Sequence, residues 1–125
     1  MEHGKDSTTF APFILHNALD TEWKDVRLEF SDWDWVQSHY GETFEGYYLN
    51  GPGVEGLVKA VRFSSGLAAE PDSIHYNSEG STCYIHFESL SEAVKTARLA
   101  AAMISSEAEM VTMIALAQQH GWDDG

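Results

Sequence analysis

The sequence predicts an α+β domain in which a mainly antiparallel sheet packs against two or three helices. Apolar and charged residues alternate over residues 26–30, VRLEF, which is typical of a strand with one buried face. Two S-x-x-E capping boxes, Ser89 with Glu92 and Ser106 with Glu109, each precede a stretch with apolar residues at helical spacing. One-faced strands and capped helices in the same chain indicate this fold class.

The strands are expected in chain order. Residues 1–8 are predicted to form a disordered tail. Residues 10–17, FAPFILHN, are predicted to form an opening strand that Pro12 restricts to an edge or to its first residues. The 26–30 strand follows. The 44–49 segment is predicted to join the same sheet, as is a hairpin over residues 73–88.

In that hairpin, a turn centred on Glu79 and Gly80 pairs two sets of apolar residues, Ile74 with Ile85 and Tyr76 with Cys83. The opposite face of the hairpin then carries five polar or aromatic residues, His75, Asn77, Thr82, Tyr84 and His86.

Helices are predicted over residues 53–65, 90–104 and 107–119. Gly66 and Gly121 are expected to end the first and the last of them. A continuous, kinked helix through Ser105 and Ser106 is an alternative for the last two.

Gly51, Gly53 and Gly56 match the G-x-G-x-x-G pattern of dinucleotide-binding folds. Pro52 removes one of the N–H donors that a phosphate needs, and the acidic chain repels a dinucleotide. We therefore interpret these glycines as a turn at Asn50 leading from an extended segment into a helix.

Length and charge limit the possible functions. At 125 residues the chain is expected to form one domain without a disulfide, since its single cysteine has no intramolecular partner. No signal peptide or membrane-spanning stretch is evident, so the cytoplasm is the expected compartment. The net charge of -13 disfavours nucleic acid and anionic membranes, and it favours a basic partner.

The segment around residues 20–55 combines many carboxylates with large aromatic residues, which are the residues that anchor protein interfaces. If the 26–30 alternation continued, the aspartates at 32 and 34 would face the core and the tryptophans would face solvent. The strand must therefore break, bulge or present its tryptophans at a surface. The predicted partner-binding residues are Asp32, Trp33, Asp34, Trp35, Glu42, Glu45, Tyr47 and Tyr48.

No catalytic or metal-binding motif stands out. Two histidines on one hairpin face suggest a metal or acid–base site, but no Cys or carboxylate joins them at ligand spacing. We therefore predict no metal, no cofactor and no catalysis. The alternative is a small enzyme or ligand-binding domain that uses His75, Tyr84 and His86 with the 51–56 loop.

Several motifs resemble the immunity protein 51 family of bacterial toxin systems: Phe44-Glu45-Gly46, the Asn50-Gly51 turn, Ile74-His75-Tyr76, Glu79-Gly80, Cys83 and Tyr84. The resemblance covers about residues 44–104, although Pro52 and Val54 stand where the family has Tyr and Trp. It implies an α+β domain that neutralises a toxin made by the same cell. With the charge, it predicts that the protein binds its cognate toxin stoichiometrically and occludes it.

Overall fold

A computed structural model describes residues 5–18, 25–41 and 43–122. In chain order the elements are β1 (Lys5–Asp6), β2 (Ile14–Ala18), β3 (Asp25–Phe30), α1 (Trp33–His39), β4 (Thr43–Phe44), β5 (Tyr47–Tyr48), α2 (Gly51–Ser64), β6 (Ile74–Tyr76), β7 (Cys83–Phe87), α3 (Leu90–Ile104) and α4 (Glu107–His120). Five strands form one antiparallel sheet in the order β1-β2-β3-β7-β6. The predicted α+β class is confirmed.

The inner face of this sheet is the one that the helices cover. Helix α3 packs on β2, β3 and β7, while α2 packs on β7, α3 and α4. Alternation places Leu28 and Ile85 opposite one another on the inner face, where both are buried. Each strand therefore presents its other face away from the helices, as the VRLEF alternation predicts.

Three parts of the predicted sheet are wrong. The 44–49 segment does not join it, because β4 and β5 pair only with each other, Thr43 opposite Tyr48 and Phe44 opposite Tyr47. The turn between them is formed by Glu45 and Gly46, with φ of 54° and 75°. Positive φ at both central residues is the tight hairpin geometry that turns a chain back on itself.

The second error concerns the N-terminal segment. Residues 1–8 are predicted to be a tail, and residues 1–4 of it lie outside the described residues. Lys5 lies opposite His16 and Asp6 opposite Leu15, so β1 forms an edge of the sheet. The opening strand was expected from residue 10, with an edge position as one alternative, but β2 begins at Ile14, after Pro12, and lies between β1 and β3. Asp6 Oδ1 then accepts hydrogen bonds from the backbone N–H groups of Thr8 and Thr9. These bonds close the turn that leads towards β2.

The hairpin of β6 and β7 has the predicted faces but a different register. Ile74 lies opposite Phe87 and Tyr76 opposite Ile85, and Glu79 bridges to Thr82, so the turn is at residues 80–81. The predicted register is wrong by two residues. The observed one pairs two buried apolar side chains, Ile74 and Phe87, whereas the predicted one would place Phe87 opposite Asp72.

Both serines cap their helices at the predicted positions. Ser89 Oγ accepts from the Glu92 N–H at 3.1 Å, and Ser106 Oγ from the Glu109 N–H at 3.3 Å. Helices α3 and α4 meet at 111°, so the alternative of one kinked helix is wrong. The extended backbone of Ser106 breaks the hydrogen-bond ladder. Gly66 and Gly121 follow α2 and α4 with positive φ, as expected.

Within the described residues, no helix on its own has the length and apolar composition needed to cross a membrane. Only α3 and α4 taken together, as a sharply bent pair, meet that test of length and composition.

A buried arginine joins α2 to α3. Arg62 is 2% exposed, and its guanidinium pairs with Glu92 Oε1 at 2.7 Å. The same group donates to Thr96 Oγ1 at 2.6 Å and to the Ala68 carbonyl at 3.0 Å. A buried charge of this kind is tolerated only when it is fully paired, so we assign Arg62 a structural role.

Candidate partner-binding surface

The strand that begins at residue 25 ends in a helix N-cap. β3 stops at Phe30, and Asp32 Oδ1 accepts a hydrogen bond from the Trp35 N–H at 3.1 Å. Of the three outcomes predicted for this stretch, the strand breaks. Asp32 is a favoured N-cap residue, so the capping bond replaces the strand ladder and starts α1 with Trp33 in its first turn.

Trp33 fixes α1 against the turn between β6 and β7. Its indole N–H donates to the Ser81 carbonyl at 2.6 Å, and its ring packs edge-on against Phe30 with 5.1 Å between centroids. The ring is therefore held on two sides. A rigid aromatic wall costs little side-chain entropy when a partner binds.

A small pocket lies beside this indole, with a volume of about 230 Å³. Val36 and Leu49 are buried at 2% and 4% exposure, whereas Tyr48 is 53% exposed. Helix α1, strand β5, the turn into α2 and the β6–β7 turn all contribute to it. The pocket residues are Trp33, Val36, Gln37, Tyr48, Leu49, Asn50, Gly80 and Ser81.

The β6–β7 turn, which forms one side of the pocket, approaches the start of α2 so closely that position 51 requires a glycine. The Gly51 N–H donates to the Gly80 carbonyl at 3.3 Å, and a Cβ at residue 51 would lie 1.9 Å from the Glu79 carbonyl oxygen. The next donor, the Gly53 N–H, is accepted by Asn50 Oδ1 at 2.8 Å. Protein atoms therefore occupy these donors at the start of α2, which supports the turn interpretation of the glycine cluster over the dinucleotide one.

The two predicted tryptophans do not form one patch. Residues two apart on a helix are separated by roughly 200°, so Trp35 lies on the opposite side of α1 from Trp33. The Trp35 ring stacks on His39 at 3.9 Å and lies 6.0 Å from the Tyr40 ring. Tyr40 in turn donates to the Ile104 carbonyl at 2.7 Å. Trp35 thus belongs to a second aromatic cluster, between α1 and the end of α3.

The remaining predicted residues divide by exposure. Asp32, Asp34 and Glu45 are exposed carboxylates, and Glu42 lies outside the described residues. Tyr47 is 1% exposed and its hydroxyl donates to the Gly53 carbonyl at 2.5 Å. Its assignment to the partner surface is therefore wrong, because a side chain held in the core cannot contact a partner.

The sequence-based prediction missed the wall at Gly80 and Ser81, together with Gln37 and Asn50. Gly51 was the available clue to Gly80 and Ser81, because a glycine at the start of a helix can mark a place where another backbone segment comes close. The segment that comes close to Gly51 is the β6–β7 turn. It cannot be identified without the hairpin register, which differs by two residues from the predicted one.

The alternative face, with His75, Tyr84 and His86, lies on the outer side of the sheet. His75 is directly opposite His86, and the Arg27 guanidinium lies over the Tyr84 ring at 5.5 Å. His75 Nε2 is 3.4 Å from Glu88 Oε2. Across the part of the chain that the structure describes, no three His, Cys, Asp or Glu side chains converge as metal ligands.

Beside this face, Glu29 Oε1 lies 2.8 Å from His16 Nε2, and Glu29 Oε2 accepts a hydrogen bond from the Ser31 hydroxyl at 2.7 Å. Burial raises the pKa of Glu29, but the bonds from Ser31 and His16 and the charges of His16 and Arg27 outweigh it, so the pKa is lowered. Cys83 points to the opposite, core side, where burial raises the pKa of its thiol to about 12. A thiol in that state is not a nucleophile.

Comparison of the chain with protein-family models, with curated proteins and with solved structures finds no match. The resemblance to the immunity protein 51 family stays a prediction. The candidate surface is an open pocket lined by Trp33 and the exposed Tyr48, with three exposed carboxylates on the adjoining elements.

Proposed function

We propose that this protein binds a basic partner protein, a cognate bacterial toxin domain, and neutralises it by stoichiometric occlusion. The contact is centred on the pocket between Trp33 and Tyr48. The observation that carries the proposal is the exposure of Tyr48, 53%, beside a preformed pocket. Exposed aromatics next to small, rigid pockets are characteristic centres of protein interfaces.

The size of the pocket favours a protein partner over a free small molecule. Ligand pockets usually span about 300 to 1,000 Å³ and enclose most of their ligand, whereas this one holds about 230 Å³ and is open. It fits one side chain of a partner. An arginine or lysine suits it best, because Trp33 and Tyr48 line the pocket and aromatic rings attract cations.

The charge of the protein supports the same partner. Asp32, Asp34 and Glu45 are exposed on the elements that adjoin the pocket, and the whole chain carries -13. The electrostatic field of these charges raises the association rate constant for a cationic domain above the ~10⁵ to 10⁶ M⁻¹s⁻¹ that is typical without electrostatic steering. The resemblance to immunity proteins adds the biological role, protection of the producing cell in its cytoplasm. Occlusion requires no turnover, so we propose no enzymatic activity.

The test is a titration against the purified product of the neighbouring toxin gene, with toxin activity as the readout. Inhibition should reach its plateau at a fixed molar ratio. Tyr48→Ala should weaken binding by at least about 2 kcal/mol, the size of an interface hot spot, mainly through a faster off-rate. Phe63→Ala is the matched control, because Phe63 is 47% exposed but lies on α2 away from the pocket. It should leave affinity unchanged.

Two results would contradict the proposal. Inhibition by far less than one equivalent, growing with incubation time, would restore the enzyme alternative on the His75, Tyr84 and His86 face. Equal affinities for Tyr48→Ala and the control, with both variants folded by circular dichroism, would place the interface elsewhere.

A further inference from the structure

A second surface, unrelated to the pocket at Trp33, runs along helix α3. It is an open groove of about 660 Å³, lined by Leu90, Ser91, Val94, Lys95, Arg98 and Leu99. These positions recur at three- and four-residue spacing and so share one side of the helix. The three apolar members are only partly buried, which leaves an apolar floor open to solvent.

Two cations border this floor, and both are exposed. Lys95 and Arg98, like Lys5 and Arg27, form no ion pair with any residue that the structure describes, whereas Lys59 and Arg62 are paired with glutamates, Arg62 with Glu92. Glu92, three residues before Lys95, is therefore already engaged. This contrast matters in a chain with 20 acidic residues against 7 basic ones, where partners for a cation are plentiful.

The two cations are also three residues apart on the helix, so they repel each other. No carboxylate lies three or four residues from Arg98 on the helix to offset this repulsion. The residues at those positions are Val94, Lys95, Ala101 and Ala102. A carboxylate placed between Lys95 and Arg98 would remove the repulsion. The floor beside it would at the same time bury apolar side chains.

We propose that the α3 groove binds an acidic, amphipathic segment of a second protein. In this arrangement a carboxylate lies between Lys95 and Arg98, and apolar side chains of the segment pack on Leu90, Val94 and Leu99. A helix with apolar residues at i, i+4 and i+7 matches such a groove. The protein would then present two surfaces of opposite charge preference and could hold two partners at once.

A protein segment fits better than the other occupants. Small-molecule sites bury about 70–90% of their ligand, which an open groove along one helix does not do. A second copy of this chain would bring a further charge of -13, which opposes association as a whole. A short acidic segment carries far fewer negative charges than a second copy, so the repulsion that it meets is smaller and the local attraction of Lys95 and Arg98 opposes it.

The test uses a fluorescein-labelled synthetic helical peptide with leucine at i, i+4 and i+7 and glutamate between, followed by fluorescence anisotropy at low salt. The full-length protein should bind it. Arg98→Glu should weaken binding at least about tenfold, because it replaces an attractive contact with a repulsive one. The matched control is Lys5→Glu, which makes the same charge change on β1. It should alter binding less than about twofold, since only long-range field effects remain.

Arg98→Gln, which removes the charge without reversing it, should give an intermediate loss, and circular dichroism checks that each variant is folded. Absence of peptide binding, or an equal loss in Arg98→Glu and Lys5→Glu, would overturn the proposal. So would binding of sodium dodecanoate at the groove without peptide binding. Sedimentation showing a dimer that Arg98→Glu dissociates would overturn it in favour of a second copy.

Discussion

Replacing Gly51 by alanine tests whether the β6–β7 turn closes over the start of α2. The added Cβ would lie 1.9 Å from the Glu79 carbonyl oxygen and 2.6 Å from that of Thr82. Both are backbone atoms, so the turn itself must retreat by roughly 1.5 Å to restore ordinary contact. Overpacking of this kind costs about 1–3 kcal/mol, and we expect a loss of stability in that range.

Urea denaturation followed by tryptophan fluorescence measures this loss. Gly80→Ala is the matched control, because a Cβ at Gly80 meets nothing within 4 Å although it lies in the same turn. It should change the free energy of unfolding by less than about 0.5 kcal/mol. Because the turn also carries the Ser81 carbonyl that accepts from Trp33, Gly51→Ala should weaken partner binding as well. Equal stability of the two variants would refute the close approach, and with it the pocket.

Three further predictions concern the core and the sheet. Arg62→Ala should lower the free energy of unfolding by about 2–5 kcal/mol in urea denaturation, because it leaves a cavity, the buried Thr96 hydroxyl without its donor and the partly exposed Glu92 carboxylate without its cation. Exposed Arg98→Ala should change it by less than about 0.5 kcal/mol. The pKa of Glu29 is lowered in the folded protein, so its carboxylate stabilises the fold above its ordinary pKa of 4.5, and this stabilisation is lost as the pH falls through the folded value. Ser31→Ala removes one of the bonds that lower this pKa. It should therefore reduce the free energy of unfolding at pH 6 and change it much less in strong acid. Cys83, with its pKa raised to about 12 by burial, should react with a thiol reagent only after the protein unfolds.

The sequence identifies the buried faces of the strands better than it identifies their partners. Alternation has a period of two, so it assigns Ile74, Cys83 and Ile85 to the core in any register displaced by an even number of residues. The observed hairpin is displaced by two, and the assignment of faces is unaffected. Which strands pair is decided by contacts distant in sequence. That is why the small β4–β5 hairpin could not be separated from the main sheet.

The helices were predicted more accurately because their signals are local. Each capping box fixes a start within one residue, since the serine hydroxyl must reach an N–H three residues on. Helix α1 is the exception, because residues 32–35 were expected to be a strand that breaks, bulges or presents its tryptophans, and no helix was predicted there. Asp32 is a poor core residue but a favoured N-cap, and its bond to the Trp35 N–H starts a fourth helix among the described residues, where two or three were expected.

The composition of the candidate surface was visible in the sequence, but its geometry was not. Adjacent tyrosines at 47 and 48 must point to opposite sides of an extended segment, so at most one of them can contact a partner. The choice is set by the turn at Glu45 and Gly46, which places Tyr47 opposite Phe44 and aims its hydroxyl at the Gly53 carbonyl. Tyr48 is exposed as a consequence. A one-residue slip of this turn would exchange the two, so the position of the partner-binding aromatic depends on two residues with positive φ, only one of which is glycine.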